Sequence, residues 1–339
     1  MADAAERWTV SAFTVVTWRA GRLEITCANS GAALATNDPD MVRILNAFAR
    51  PKTIAEGLGE LAAAASPELA AQIQDLIRAG ALVSASEREL AAAQHWEWSA
   101  LAYHRRSRRS SFRKAPAPVV PRVPAVPGPT WIALSQSGAA TGRDFADVIE
   151  ARRSVRAWPA VPLAFDGFSR LLWLSARNRK ASDDALSDEP LSRPYPSGGA
   201  SYSLELYVVM AEHAVATIPE GLYRYAPELH ALEPVPTPST ARLALVETAG
   251  RSAGAAPPPI LLLVTSRFAR QSEAYADLAY GLVLKEVGCL FQTLYLAAEY
   301  LGLGACALGG GVAPGQFARL LNTSELVEPL VGEFMLGPR

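Results

Sequence analysis

The hydrophobic pattern changes period several times along the chain. Residues 9–18 (TVSAFTVVTW) and 22–28 (RLEITCA) are β-rich runs, and Arg19 to Gly21 between them predict a hairpin. Helical spacing follows. Asn37-Asp38-Pro39-Asp40 precedes the periodic Met41, Ile44, Leu45 and Phe48; Thr53 opens TIAEGLGELAAA; and Ser66-Pro67-Glu68 opens ELAAQIQDLIRAG, with Gly80 as its stop before Ala81-Leu82-Val83. Strands followed by three short helices predict a winged-helix-like unit over residues 1–98.

The second pattern begins near residue 130. Residues 144–153 place Phe145, Val148 and Ile149 on one helical face, and residues 168–176 do the same with Leu171, Leu172 and Leu174. A polar loop with Asp183, Asp184, Asp188 and Glu189 separates these from the strand run SLELYVVM, the hairpin-like GLYRYAPELHALEPV and the run ILLLVTS. Residues 275–301 are apolar nearly all round except for Lys285, Glu286 and Glu299, which predicts a helix buried in a core or a dimer interface. VGEFMLGPR supplies a last strand. No internal repeat is visible.

Composition sharpens the division. Six prolines of APAPVVPRVPAVPGP (residues 115–129) exclude helix and favour an extended course, and the tract before them carries His104, Arg105, Arg106, Arg108, Arg109, Arg113 and Lys114 with no acid. Residues 99–129 therefore read as a basic, proline-rich linker and residues 130–339 as a second domain. The chain of 339 residues carries 32 Lys and Arg against 33 Asp and Glu, so no global field draws it to nucleic acid. Residues 1–98 hold eight basic and twelve acidic side chains, a poor balance for contacting phosphates; docking a peptide or packing on a neighbour suits them better. Cys27, Cys289 and Cys306 form no CxxC pair, and the four histidines are scattered. The uncharged apolar runs stop short of the ~18 residues a membrane span needs, and no signal-peptide pattern opens the chain. A cytoplasmic protein is the expectation.

Three segments carry candidate chemistry. In ARRSVRAW (151–158), Arg152, Arg153, Ser154 and Arg156 have the composition of a phosphate clamp, or equally of a solvated basic helix end. In RPYPSGGAS (193–201), two prolines stiffen the approach to Gly198-Gly199, where the backbone can come close to a flat ligand or simply turn into the next strand. LGLGACALGGG (301–311) imitates a dinucleotide fingerprint, but the preceding segment reads as helix where that motif requires a strand. Gly309, Gly310 and Gly311 still allow close approach.

The order RRSxR, PSGGA-strand, long apolar helix with Gln292, then LGLGAC with its glycine run resembles the FMN-dependent nitroreductase superfamily over residues 140–339. YPSGGASYSLELY, with the winged-helix-like part and HWEWSALAYHRRSR, is similar to its SagB/ThcOx (McbC-like) branch. The resemblance implies an α+β nitroreductase-like fold, a mixed sheet with flanking helices, and FMN as cofactor. It places the phosphate on Arg152, Arg153, Ser154 and Arg156. The isoalloxazine edge would meet Pro196, Ser197, Gly198 and Gly199, with Gln292 on the long helix and Gly309 and Gly310 at the other edge. Arg339 follows the last strand, where the family often has a closing cation. It implies a homodimer with FMN at the interface, a ribosomally made peptide as substrate, a cyclodehydratase as partner, and oxidation of azolines to azoles. An NAD(P)H-dependent nitro- or ene-reductase and a non-catalytic flavin-fold binding protein are the alternatives. Azole-forming relatives often carry a Lys-Tyr pair before the turn; here Pro194 precedes Tyr195, with Arg193 behind it, so Tyr195 and Lys285 stand as the candidates for the proton step.

Overall fold

The computed structural model describes residues 6–61, 67–85, 97–106, 127–136, 142–179, 192–275, 278–313 and 315–339. Most of the proline-rich segment, His95 and Trp96, Arg108 to Lys114, and the four acids of the polar loop lie outside the described residues. The chain divides into two compact units, Met1–Ser111 and Phe112–Arg339.

In the N-terminal unit the first apolar run breaks in two. Its strand β1 (Trp8–Val10) pairs antiparallel with β5 (Leu82–Ser84), while β2 (Thr14–Arg19), β3 (Arg22–Cys27) and β4 (Ala32–Thr36) form a separate antiparallel meander. Ser11 makes the break: its carbonyl accepts from Thr14 N and its hydroxyl from Phe13 N. Helices α1 (Asp40–Ala47), α2 (Ile54–Glu60) and α3 (Pro67–Ala79) follow. Thr53 and Glu56 exchange the two hydrogen bonds of a capping box, and Gly80 ends α3 at φ +77°. At α1, however, Pro39 occupies the cap, and the Asp38 carboxylate accepts from Asp40 N. Ile25, Ile44, Phe48, Ile73, Leu76 and Leu82 close a core of their own. Helix α4 (Trp98–Arg106) ends the described part of this unit.

The C-terminal unit is built on a sheet of seven strands. They are β6 (Ile132–Ala133), β7 (Leu204–Met210), β8 (Gly221–Ala226), β9 (Ala231–Val235), β10 (Ile260–Ser266), β11 (Gly304–Leu308) and β12 (Leu330–Gly337), in the order β11-β12-β10-β7-β8-β9-β6. Where a mixed sheet is expected, every adjacent pair is antiparallel; β7 to β9 run as a meander and β10 joins β7 from the other side. The runs LELYVVM and ILLLVTS are continuously apolar because both faces are covered. Leu206, Val208, Leu262 and Val264 enter one core with Phe168, Leu171, Leu290 and Leu294. Tyr207, Val209, Leu261 and Leu263 enter the opposite one with Leu245, Phe317 and Met335.

The flanking helices are α5 (Phe145–Ala151), α6 (Phe165–Ala176), α7 (Ser239–Ala253), α8 (Ala269–Tyr275), α9 (Ala279–Tyr300) and α10 (Gln316–Leu320). The predicted 275–301 helix is thus α9, and it is not buried all round. Ala279, Val283, Glu286, Leu290, Leu294 and Ala297 form its inward stripe, while Tyr280, Leu284, Lys285 and Gln292 are exposed. By length and composition alone α9 could cross a membrane, yet one face of it packs into the core. On α5, only Val148 is buried; Phe145 is 67% exposed and Ile149 is exposed as well, against the expectation of one apolar face turned inward.

Candidate functional site

The sequence segments singled out for chemistry are distributed along the long helix α9. Near its C-terminal half lies the RRSxR segment. Helix α5 ends at Ala151, after which the chain straightens and Val155 N donates to Ala305 O of β11 at 2.8 Å. Ser154 Oγ shares a 2.9 Å hydrogen bond with the Tyr295 hydroxyl, which also accepts from Ala307 N at 2.7 Å. The Arg152 guanidinium lies over the Tyr295 ring, 5.1 Å from its centroid. Tyr295 therefore ties the clamp segment to β11. Arg153 and Arg156 are exposed and have no acidic partner among the described residues. Arg339 is engaged differently: it and Arg143 both bind the buried Glu299 carboxylate, which spends the charge of Arg339 on a fold contact.

Near the N-terminal half of α9 lies the PSGG turn. Gly199 sits at φ +62°, which glycine adopts freely, while Ala200 and Tyr202 also have positive φ and store backbone strain beside it. A side chain at Gly199 would collide with the Tyr275 hydroxyl, and one at Gly198 would press on Leu282 and the Gln271 amide. The turn is closed by Tyr202 N donating to Ser197 Oγ and by Ser201 Oγ donating to Gly198 O, both at 2.9 Å. Behind it are buried polar atoms without partners among the described residues: both amide atoms of Gln271 and Oε1 of Glu286. Glu286 Oε2 accepts from Ser203 Oγ at 3.2 Å. Burial pushes the Glu286 carboxyl up to about 7 against the pull of the Ser197 and Ser203 hydroxyls and Arg193.

Along the same helix lies a cavity of about 370 Å³, lined by Tyr280, Leu284 and Phe291 of α9, by Gly309 and Gly310 beyond β11, and by Glu325 and Glu333. Gly309 and Gly310 face open space. Glu333 accepts from Val312 N through Oε1 at 2.9 Å and has an unpartnered Oε2; burial raises its pKa. Lys285 and Gln292 lie on the exposed side of the same helix.

Tyr195 does not join these groups. It is 1% exposed, packs edge-on against Tyr202 and is bonded to the buried Arg193, whose Nη1 reaches both Tyr195 Oη and Leu204 O at 2.9 Å. The Arg193 guanidinium pulls the tyrosine's pKa down, but desolvation outweighs it and pushes the phenol up to about 12. The phenol is buried and faces a water-sized void. Sequence reasoning missed Glu286, Gln271 and Tyr295. Glu286 had a signal: it falls on the 279-283-286-290-294 stripe that is otherwise apolar. Gln271 and Tyr295 had none.

The cationic segment and the two glycine turns are set along one helix of an α+β core, as a nitroreductase-like fold would have them. The chain belongs to the Nitroreductase family, whose family model matches residues 149–337. It is 32% identical over 163 residues to a nitroreductase-type protein of Methanocaldococcus jannaschii, covering 48% of this chain and 77% of that one. It is 30% identical over 145 residues to the microcin B17-processing protein McbC of Escherichia coli, covering 42% of this chain and 53% of McbC. It is 29% identical over 144 residues to the trifolitoxin-processing protein TfxB of Rhizobium leguminosarum bv. trifolii, covering 42% and 38%. The McbC-like resemblance read from the sequence is matched by these two processing proteins, of which the chain spans about half and about two fifths.

Proposed function

We propose that the protein is an FMN-dependent dehydrogenase acting on a ribosomally synthesised peptide, converting azolines to azoles. The observation that carries this reading is the placement of RRSxR, PSGG and the Gly309-Gly310 pair along one helix, in a chain similar to two peptide-processing proteins. Glu286 and Tyr295 are nine residues apart, on the order of 13 Å along the axis, a nucleotide-length span.

FMN fits the residues present. The exposed Arg153 and Arg156, with Arg152 and Ser154, would hold its phosphate through charge-assisted bonds. The apolar wall of Tyr280, Leu284 and Phe291 suits an uncharged ring, whereas Glu325 and Glu333 would repel a phosphate from that cavity. The orphaned Gln271 amide behind Gly198 offers a donor and an acceptor to a heterocycle edge. Bound there, FMN would supply two-electron chemistry, accepting a hydride from the azoline ring with an acceptor such as dioxygen taking the electrons afterwards. The chain's share is to orient the peptide ring, exclude water and remove one proton. Of the two sequence candidates only Lys285 reaches the surface, and we assign the proton step to it. The exposed Tyr280 and Leu284, with Phe145 and Ile149, would be covered in a homodimer. The N-terminal unit would grip the peptide or a cyclodehydratase, its strand β2 presenting Val16 and Trp18 at an edge of its sheet.

The test is single-turnover mass spectrometry of an azoline peptide with the FMN-loaded protein. Loss of two hydrogens per ring supports the reading; an unchanged peptide contradicts it. An NAD(P)H-driven nitroreductase is a second reading, favoured by the 77% coverage of the Methanocaldococcus relative. Rapid bleaching of the bound flavin by NAD(P)H would select it.

A further inference from the structure

Glu333 is 4% exposed, and its Oε1 accepts from Val312 N at 2.9 Å while its Oε2 has no partner among the described residues. Leaving a carboxylate uncompensated in the interior costs a fold free energy. This one lines the cavity beside the glycine run, and Glu325, exposed and without an ion pair among the described residues, lines it too. Negative charge is thus present both at the surface of the cavity and in its depth. No basic residue answers it. The described lining holds neither lysine nor arginine, and Arg319, which approaches Gly315 as Glu325 does, is exposed and outside the lining.

The remaining walls restrict the kind of cation that fits. A bare metal ion takes several oxygen ligands; here one carboxylate oxygen is already held by Val312 N, and no group of three His, Cys, Asp or Glu gathers among the described residues. Leu308, Val312 and Leu330 set apolar surface beside the two acids instead. That combination suits a cation carried on methylenes, which lie along apolar walls while the charged head meets an acid. The glycine run is shaped for close approach. Gly309 and Gly310 face open space, the Ser252 hydroxyl of α7 donates to Gly310 O, and Gly332 leaves the Phe291 ring a place that any side chain there would take.

We propose that the acidic end of this cavity is a subsite for a basic side chain of the peptide substrate, a lysine or arginine flanking the ring that is oxidised, its cation facing Glu325 and Glu333. The inference rests on the proposed reading that the protein acts on a peptide, and it adds a substrate class to that reading. The flavin ring takes the apolar wall on α9. The two carboxylates, which suit neither a neutral ring nor a phosphate, select the residue beside the azoline. A cation there offsets the desolvation of Glu333 and gives its free oxygen a charge-assisted partner.

The experiment is calorimetric titration of the full-length, FMN-loaded protein with short thiazole peptides that carry lysine before or after the ring, each against a norleucine counterpart. Norleucine keeps the methylenes and removes the charge. One charge-assisted contact predicts that lysine at one of the two positions binds roughly ten- to a hundredfold tighter than norleucine. Glu325→Gln and Glu333→Gln are each expected to narrow that preference, and the double variant to abolish it. Equal binding of the lysine and norleucine peptides, or a lysine preference retained in the double variant, overturns the inference and leaves the peptide reading intact. If variants at the buried Glu333 do not fold, the exposed Glu325→Gln decides: an unchanged preference there overturns the inference. Cadaverine, the same cation without a peptide, is expected to bind more weakly; binding as tight as that of the lysine peptide would make this a site for free amines and overturn the inference as well. Absence of binding by every peptide contradicts the peptide reading and the inference with it.

Discussion

At the scale of single residues, burial decides which polar groups can do chemistry. Tyr195 reads in the sequence as a candidate for the proton step, but the chain folds it and Arg193 into the core, where the guanidinium holds the phenol and the Leu204 carbonyl together. Tyr195→Phe leaves a buried guanidinium one acceptor short. It should cost about 1–3 kcal/mol of stability, seen as a lower Tm, with FMN content and turnover unchanged. A large fall in kcat at full flavin occupancy would restore Tyr195 to the mechanism. The clamp arginines behave in the opposite way. Arg153 and Arg156 are exposed with no acidic partner among the described residues, so Arg153→Ala with Arg156→Ala should leave Tm nearly untouched. Each lost charge-assisted bond is worth about 1.5–3 kcal/mol, roughly ten- to a hundredfold in affinity. Equilibrium dialysis checks this, and retained FMN would remove the phosphate from this segment.

At the scale of elements, what was legible in the sequence is what local chemistry determines. The helix start at Thr53, the glycine stop at Gly80, and the continuous apolar strands of residues 204–210 and 260–266 all stand in the structure where their patterns placed them. Boundaries set by tertiary pairing were not legible. Ser11 splits one β-rich run between two sheets, and β11 emerges from a glycine-rich stretch only because β12 and the clamp segment pair with it. The same distinction applies to the site. RRSxR, PSGG and the glycine run are local motifs and could be read; the Glu286 and Gln271 wall needs α8, α9 and the turn to be brought together. Periodicity also could not say which apolar faces remain open in a single chain. Phe145 and Ile149 on α5 and Tyr280 and Leu284 on α9 are exposed. If these faces meet a second copy, Phe145→Glu or Leu284→Glu should convert a dimer to a monomer by light scattering and weaken FMN binding at the same time. A monomeric unaltered protein would contradict that assembly.

At the scale of the molecule, two compact units divide between them what the composition only averages. The near-neutral total conceals an acidic stretch over residues 1–98, a basic tract after it, and a second unit whose free cations lie at one end of a helix, with carboxylates lining the cavity further along it. This separation suits a cofactor with an anionic tail and a neutral ring, and the acidic stretch of residues 1–98 suits a peptide better than a nucleic acid. The most direct measurement is the absorption spectrum of the purified full-length protein, followed by chromatography of whatever heat denaturation releases. The account predicts a yellow protein that releases FMN, one per chain. A colourless protein that takes up no FMN when the cofactor is supplied would contradict it.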